Sequence, residues 1–485
     1  VPPPDNAAIA EQLETLASLL DAAGAGRYSV RAYRRAADLV RTTPAPVAEL
    51  VRSGQVRRLR GVGPAIEARL RELVDTGGLA EIETLKAELA PGLAARARRA
   101  PRRGRALRLD RARALTAGLA GALGGVPAGD ARRFRDTCEH LAVVVSAGDP
   151  GAALDRLESL PQVVTVVDRR RDRARAVTIE GVPVEVVAAP PRCFGTALVR
   201  ATGSADYVAG LGALPDAADE ESVFRALGLP WLPPELREVP APGEAPPLVV
   251  RPQIRGDLHV HTTWSDGRAD VLEMAEAARA LGYEYVAICD HTRSVAVVPG
   301  LDADDVRRQA EEIARANELL APFTVLRGIE CDILADGSLD LPDDVLAELD
   351  WVQASVHAGQ RQSRQQLTAR TLAAVRHPAV RSISHPQGRI LGHRPPNAVD
   401  LDEVFAACAE TGTAVETNGL PDRLDLSGEL VREAIAAGVR ITCSTDAHST
   451  RGLGNMELSV GTARRGRATA ADVLNTRPLA ELLGR

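Results

Sequence analysis

A chain of 485 residues is too long for one ordinary hydrophobic core, so roughly two to four domains are expected. Hydrophobic residues at 45% and charged residues at 26% exclude a disordered chain, and aromatics at 3% leave the cores to Leu, Val, Ile and Ala. The net charge of −6 is unevenly spread: residues 1–115 are arginine-rich and basic and the remainder acidic, which suits a front end that faces nucleic acid.

Apolar runs such as Tyr285 to Ile288 fall far short of the roughly 18 residues of a membrane span, and the first ten residues lack a signal pattern, so a cytoplasmic protein with no membrane partner is expected. The 6 cysteines are dispersed without a CxxC pair, which argues against a disulfide framework and against a cysteine-rich zinc module. Lys86 is the one lysine of the chain.

In chain order, apolar residues recur at helical spacing from Asn6 to Leu89 (Ile9, Leu13, Leu16, Leu19; then Ala32, Ala36, Leu39, Val40), broken by Gly and Pro, and predict a small helical domain. Arg96 to Arg113 is a basic connector or an exposed helix. Residues 118–237 mix helical stretches with short strand-like runs, Leu141–Val145, Val163–Val167, Ala176–Ile179 and Val182–Val187, an α+β pattern. The Pro-rich stretch from Val239 to Pro252 reads as a linker. After it, strand and helix patterns alternate about seven times, as in a parallel α/β domain.

Those strands carry the chemistry. Apolar runs end at His259 and His261, at Asp290 and His291, at Glu330, at His357, at His385, near Glu416 and at Asp446. Side chains that follow successive parallel strands gather at one end of a β/α barrel, where such folds keep their active sites. Imidazole and carboxylate are ligands for zinc, manganese and iron, and a two-residue step along a strand puts both side chains of an HxH pair on one face. The candidate metal ligands are His259, His261, Asp266, His291, Glu330, His357, His385, Asp446 and His448, of which His259, His261, Glu330 and Asp446 are the candidate catalytic set. Nine donors exceed the need of one tetrahedral ion, so two or three divalent ions are expected, Mn²⁺ or Zn²⁺ with Fe²⁺ as a further option. Such a cluster activates water and clamps phosphate oxygens, which points to phosphoester hydrolysis. A barrel of the amidohydrolase type would bridge its metals with a carbamylated lysine; Lys86 lies outside the barrel, and Glu330 is the better bridging carboxylate.

The run Gly256-Asp257-Leu258-His259-Val260-His261-Thr262 with Ser265-Asp266-Gly267, followed by Asp290-His291, Gly328-Ile329-Glu330, Ser355-Val356-His357, Ser384-His385-Pro386 and Asp446-Ala447-His448, resembles the PHP (polymerase and histidinol phosphatase) domain over residues 255–485. The resemblance implies that His259, His261, Glu330 and Asp446 hold one ion, Glu330, His357 and His385 a second, and Asp266, His291 and His448 a third.

Leu59-Arg60-Gly61-Val62-Gly63-Pro64-Ala65-Ile66 resembles a helix-hairpin-helix turn, in which Gly61 and Gly63 permit a tight turn and free amides take a DNA phosphate without reading sequence. With Arg31-Ala32-Tyr33-Arg34-Arg35-Ala36-Ala37 before it, the front end is similar to that of bacterial family X DNA polymerases, which carry a C-terminal PHP domain. Arg31, Arg34, Gly61 and Gly63 are the candidate DNA contacts; that family's lyase chemistry needs a lysine nucleophile, which the single Lys86 does not obviously supply. A family X palm needs Gly-Ser, two arginines, Asp-x-Asp and a third carboxylate. The matching stretch reads Gly129-Asp130-Ala131-Arg132-Arg133, then His140-Leu141-Ala142, with Glu185 at the third position. With His140 and Ala142 in place of two carboxylates, a metal pair and nucleotidyl transfer are not expected.

The expected architecture is therefore multidomain: an all-α helix-hairpin-helix domain (1–92), a degenerate α+β palm and thumb (93–238), a linker (239–254) and a distorted (β/α)7 PHP barrel (255–485). The expected function is a metal-dependent phosphodiesterase on single-stranded or gapped DNA, sequence-independent, working as a 3′-5′ exonuclease or 3′-end trimmer in repair, with protein partners left open. A small-molecule phosphatase of the histidinol phosphatase type and a non-catalytic DNA-binding scaffold are the alternatives.

Overall fold

The structure, a computed structural model, describes residues 4–43, 45–99, 106–240, 243–295 and 298–484. The middle of the basic connector expected over Arg96–Arg113 lies outside the described residues. Among the described residues no helix is long and apolar enough to cross a membrane. The chain divides into two compact units: Val1–Leu107, Arg111–Arg132 and Cys138–Trp231 form one, and Arg108–Asp110, Arg133–Thr137 and Leu232–Arg485 form the other.

The first unit opens with five helices, α1 (Asn6–Ala22), α2 (Arg27–Thr42), α3 (Val47–Arg52), α4 (Pro64–Thr76) and α5 (Ala80–Arg99). The Asp5 carboxylate starts α1 by accepting the Ala8 N–H at 2.7 Å. Ile9, Leu13, Leu16 and Leu19 then fall on one face and are fully buried with Val40, Leu70 and Leu73. Each such leucine contributes about 1.5–3 kcal/mol. Between α3 and α4 the chain turns through Gly61 at φ 107°, a conformation that favours glycine. Gly63 is the residue before α4 at φ −90° and ψ 177°, which any residue adopts.

The same unit holds a sheet of β1 (Gly125–Gly129), β2 (Leu141–Ser146), β3 (Val163–Arg169), β4 (Arg173–Thr178) and β5 (Pro183–Ala189), in the order β1-β2-β5-β4-β3. Strands β2 and β5 are parallel and the other pairs antiparallel. Two departures from the sequence reading have local causes. Strand β1 is disguised by Gly125, Pro127 and Gly129, which an edge strand tolerates. Strand β4 begins earlier than the apolar run because Arg173 and Arg175 alternate with the buried Ala174 and Ala176.

The second unit is a nearly closed barrel of seven parallel strands in sequence order: β6 (Gly256–Val260), β7 (Tyr285–Ile288), β8 (Thr324–Asp332), β9 (Trp351–Ser355), β10 (Val380–Ile383), β11 (Ala414–Asn418) and β12 (Ile441–Ser444). Closure comes where Val260 bridges Ala447 and the His261 N–H donates to Ala447 O at 2.9 Å. Strand β6, read along Gly256–Val260, is buried at every position, as a parallel strand covered on both faces must be. The crossover helices start on reciprocal caps, Asp270 with Glu273, Asp302 with Asp305 and Ser363 with Gln366.

Two segments outside the expected barrel pack on it. Val249, in the Pro-rich stretch, is fully buried and its N–H donates to Ala468 O at 2.9 Å. Arg133–Thr137 runs, in sequence, between β1 and β2, yet Phe134 lies where helix Met456–Arg465 offers Gly461; a Cβ there would sit 1.9 Å from its ring.

Candidate metal centre

The strand ends of the barrel bring all nine expected donors to one place. His259 lies in β6 and His261 just beyond it; both are fully buried and their Nε2 atoms are 3.1 Å apart. His291 follows β7 and is bridged to Glu330 in β8. His357 and His385 each stand two residues past a strand, as does Asp446. His385 (φ 24°) and Asp446 (φ 53°) hold backbone conformations that non-glycine residues rarely adopt, a form of strain that gathers at functional sites.

Glu330 is the hub. Its Oε2 lies 2.8 Å from His291 Nδ1, 3.6 Å from His259 Nε2 and 3.7 Å from His261 Nε2. Its Oε1 faces the other way, 2.9 Å from His385 Nε2 and 3.5 Å from His357 Nε2. One carboxylate thus addresses two groups of imidazoles and would be placed to serve ions on either side. Asp446 Oδ1 is 3.1 Å from His261 Nε2, and Asp266 Oδ1 is 3.1 Å from His448 Nε2. Among the described residues, three sets of donors are close enough to share an ion: His261, Asp266, His291 and His448; His259, His261 and Asp446; His291, Glu330 and His357. His261 and His291 each belong to two sets, where the sequence reading gave each to one ion.

The donor chemistry fits divalent cations. His261 Nδ1, His291 Nδ1, His357 Nδ1 and Glu330 Oε2 are buried and make no hydrogen bond within the protein. His291 Nδ1 and Glu330 Oε2 face each other at 2.8 Å without hydrogen-bond geometry, and a cation would satisfy all four atoms. Without one, protons take its place. Burial disfavours the charge on His259, but Glu416, Asp446 and Glu330 outweigh it and push the imidazole well above its ordinary value. Burial would raise Glu330 too, yet His357, His259 and His291 hold it well below the carboxylate range. His261 is driven down to about 4 by burial and by His448 and His291, so it stays neutral and ready to coordinate.

A ring of groups that the sequence reading did not assign orients these donors. Glu416 Oε1 lies 2.7 Å from His259 Nδ1, and its Oε2 accepts the His385 N–H at 2.8 Å. Ser384 donates to both Glu330 and Glu416. Asp290 accepts from the Thr262 N–H and hydroxyl and from Gln309 at 2.6–2.8 Å, fixing the loop after His261. Asp332 accepts the His357 N–H at 2.9 Å. Arg423 places Nε 3.7 Å from Asp446 Oδ2, while its Nε and Nη1 are buried and make no hydrogen bond. Nothing in the spacing of Arg423 marks it, because it sits in the irregular loop after β11. His377 and the exposed His393 lie apart from the cluster; His377 pairs with Asp343 at 3.3 Å.

In the first unit, Ala142 pairs in register with Glu185, and His140, two residues before Ala142, puts Nε2 3.6 Å from Glu185 Oε2. The degenerate triad is therefore brought together, with one carboxylate in place of three. His140 beside it, with Arg173 and Arg175, holds Glu185 below the ordinary range against burial. Of the expected DNA contacts, Arg31 is exposed and Arg34 is 3.6 Å from Asp21.

Family models match three parts of the chain: a helix-hairpin-helix domain over residues 4–79, a DNA polymerase beta thumb over 209–238 and a PHP domain over 257–406. The DNA polymerase/3′-5′ exonuclease PolX of Bacillus subtilis is 34% identical over 382 residues, 73% of this chain and 67% of that protein. The chain belongs to the PolX family. Shorter relatives cover the barrel alone: a "probable phosphatase" of Acetivibrio thermocellus is 30% identical over 41% of this chain and 82% of its own length, and one of Photobacterium profundum 32% over 41% and 81%. The PHP domain of a PolX protein is a metal-dependent phosphoesterase, and the nine-donor cluster lies at the strand ends of that domain.

Proposed function

We propose that this PolX-family chain is a metal-dependent 3′-5′ exonuclease or 3′-end trimmer on DNA, and that its chemistry resides in the barrel. The observation that carries the reading is Glu330, whose two oxygens face two sets of buried imidazoles. His259, His261, Glu330 and Asp446 are the catalytic set, and the nine donors hold two or three ions, manganese or zinc. Divalent ions held there lower the pKa of water and neutralise phosphoryl oxygens. The protein's own part is to keep His261 neutral, to lock His259 through Glu416, and to present the Arg423 guanidinium beside Asp446 to a substrate phosphate.

DNA as substrate is supported by the named activity of the Bacillus subtilis relative and by the front end. Exposed Arg31, Arg34 beside it and the start of helix α4 after Gly61 and Gly63 are the contacts we assign to a single-stranded or gapped backbone. Four functional segments, 1–92, 93–238, 239–254 and 255–485, remain our division of labour along the chain. Mostly buried cysteines outside any disulfide and a DNA substrate fit the cytoplasm.

Templated synthesis is lost on this reading. Beyond His140 and Ala142, Asp130 fills the position of the serine in the family's Gly-Ser pair and accepts the N–H groups of Glu139 and His140 at 2.8 Å each. Arg132 is held by Glu220 in a two-point pair at 2.8 Å. A triphosphate would meet a carboxylate and a neutralised arginine. The barrel-only phosphatase relatives favour a second reading, a small phosphomonoester substrate. Assays on single-stranded DNA, gapped DNA and a small monoester, each with and without His259→Ala, separate the two: metal-dependent shortening of DNA lost in the variant supports the exonuclease, and monoester turnover with no action on DNA replaces it.

A further inference from the structure

The loop that carries Arg423 is held by Arg389, which is in turn paired with a residue from far outside the barrel sequence. Arg389 Nε donates to Arg423 O at 3.0 Å, its Nη2 donates to Leu424 O, and the same Nη2 donates to Asp136 Oδ2 at 2.7 Å. Leu424 takes φ 44°, and the Arg389 and Asp136 side chains are only 11% and 14% exposed. Without Asp136 this mostly buried guanidinium would lose its hydrogen-bonded carboxylate and keep only the nearby charge of Asp425. Asp136 is itself fixed, because Phe134 wedges against Gly461, Arg465 Nη1 donates to Phe134 O at 3.1 Å, and Arg133 Nε donates to Glu238 Oε1 at 3.0 Å.

We propose that Asp136 and Arg389 are positioning residues of the hydrolase site: segment Arg133–Thr137 acts through Arg389 to aim Arg423 at the substrate phosphate. The inference rests on the barrel being a phosphoesterase with Arg423 as its phosphate contact. It gives the degenerate palm sequence a use. The stretch that in a working palm follows the paired arginines serves here as a wall of the barrel, so the barrel sequence 255–485 alone lacks a component of its own site.

The test is a double-mutant cycle on the full chain loaded with manganese, using Asp136→Ala, Arg423→Gln and both together. Oligonucleotide hydrolysis and the inhibition constant of inorganic phosphate are read, with metal content and Tm as controls. Asp136→Ala is expected to weaken phosphate inhibition about tenfold with unchanged metal content, and to add nothing further on the Arg423→Gln background, because residues acting through one another are not additive. Asp136→Glu, which keeps the charge, restores most of the loss. Some fall in Tm is expected on either reading, so the cycle decides: a purely structural role predicts additive losses, and additive effects, or an Asp136→Ala protein indistinguishable from the parent, overturn the proposal. If the parent hydrolyses no ester, calorimetric binding of inorganic phosphate supplies the same cycle, so failure of the activity reading and failure of the coupling are told apart. No phosphate binding by the manganese-loaded parent overturns both.

Discussion

His259 Nδ1 and Glu416 Oε1 stand 2.7 Å apart in the barrel, both fully buried, and the contact turns His259 Nε2 toward Glu330 and Asp446. A histidine whose outer nitrogen is bound to a carboxylate has a fixed tautomer and a more basic inner nitrogen. Glu416→Ala is therefore expected to lower metal affinity about 10–100-fold while the barrel stays folded. Competition with a chelator measures it; unchanged affinity would show that Glu416 only fills space.

The cluster also predicts how the metal-free protein responds to pH. His448 is opposed by burial but raised to about 9 by its pairing with Asp266 and the charge of Asp446. A folded-state pKa above the unfolded value near 6.5 gives stability that is complete below that value and lost as pH rises through about 9. Asp266 is raised by burial but brought down to about 2 by His448, so its share is present above the usual carboxylate value and lost only toward pH 2. Thermal scans of chelated protein should show Tm falling between about pH 7 and 9.5. Metal-loaded protein should not follow, because cations replace the protons. A flat profile in the chelated protein contradicts the pairing.

Gly461 has no room for a side chain, since an added Cβ would meet the Phe134 ring at 1.9 Å. Gly461→Ala is expected to cost about 1–3 kcal/mol by overpacking, read as a shift in denaturant midpoint. Relief by a second change, Phe134→Ala, would confirm the contact, and a Gly461→Ala protein as stable as the parent would exclude it.

Restoring carboxylates to the palm should not restore synthesis. His140→Asp with Ala142→Asp rebuilds the triad with Glu185, but Asp130 still stands where the family pattern has serine and Arg132 stays paired with Glu220. Primer extension is expected to stay absent in this double variant, and its appearance would show that the triad alone was missing.

Much of the barrel and its donors is legible in the sequence because parallel strands buried on both faces read as apolar runs, and donors at their ends recur at each crossover. His259, Glu330 and Asp446 are each announced by the run before them. Arg423, Arg389 and Asp136 are not, because they lie in irregular segments and meet only through the fold; Asp136 and Arg389 are 253 residues apart in sequence. Strand β1 was hidden by Gly and Pro, and the start of β4, read only from Ala176, by the arginines that alternate with its buried alanines. The sharing of His261 and His291 between donor sets depends on distances that no spacing encodes.

The central claim is that the barrel cuts DNA through metals bridged by Glu330. Its most direct measurement is titration of manganese into metal-free full-length protein and into Glu330→Ala, with a 5′-labelled single-stranded oligonucleotide as substrate. The account predicts a metal-dependent ladder shortened from the 3′ end with the parent and none with the variant; equal shortening by both, or none by the parent at any manganese concentration, contradicts it.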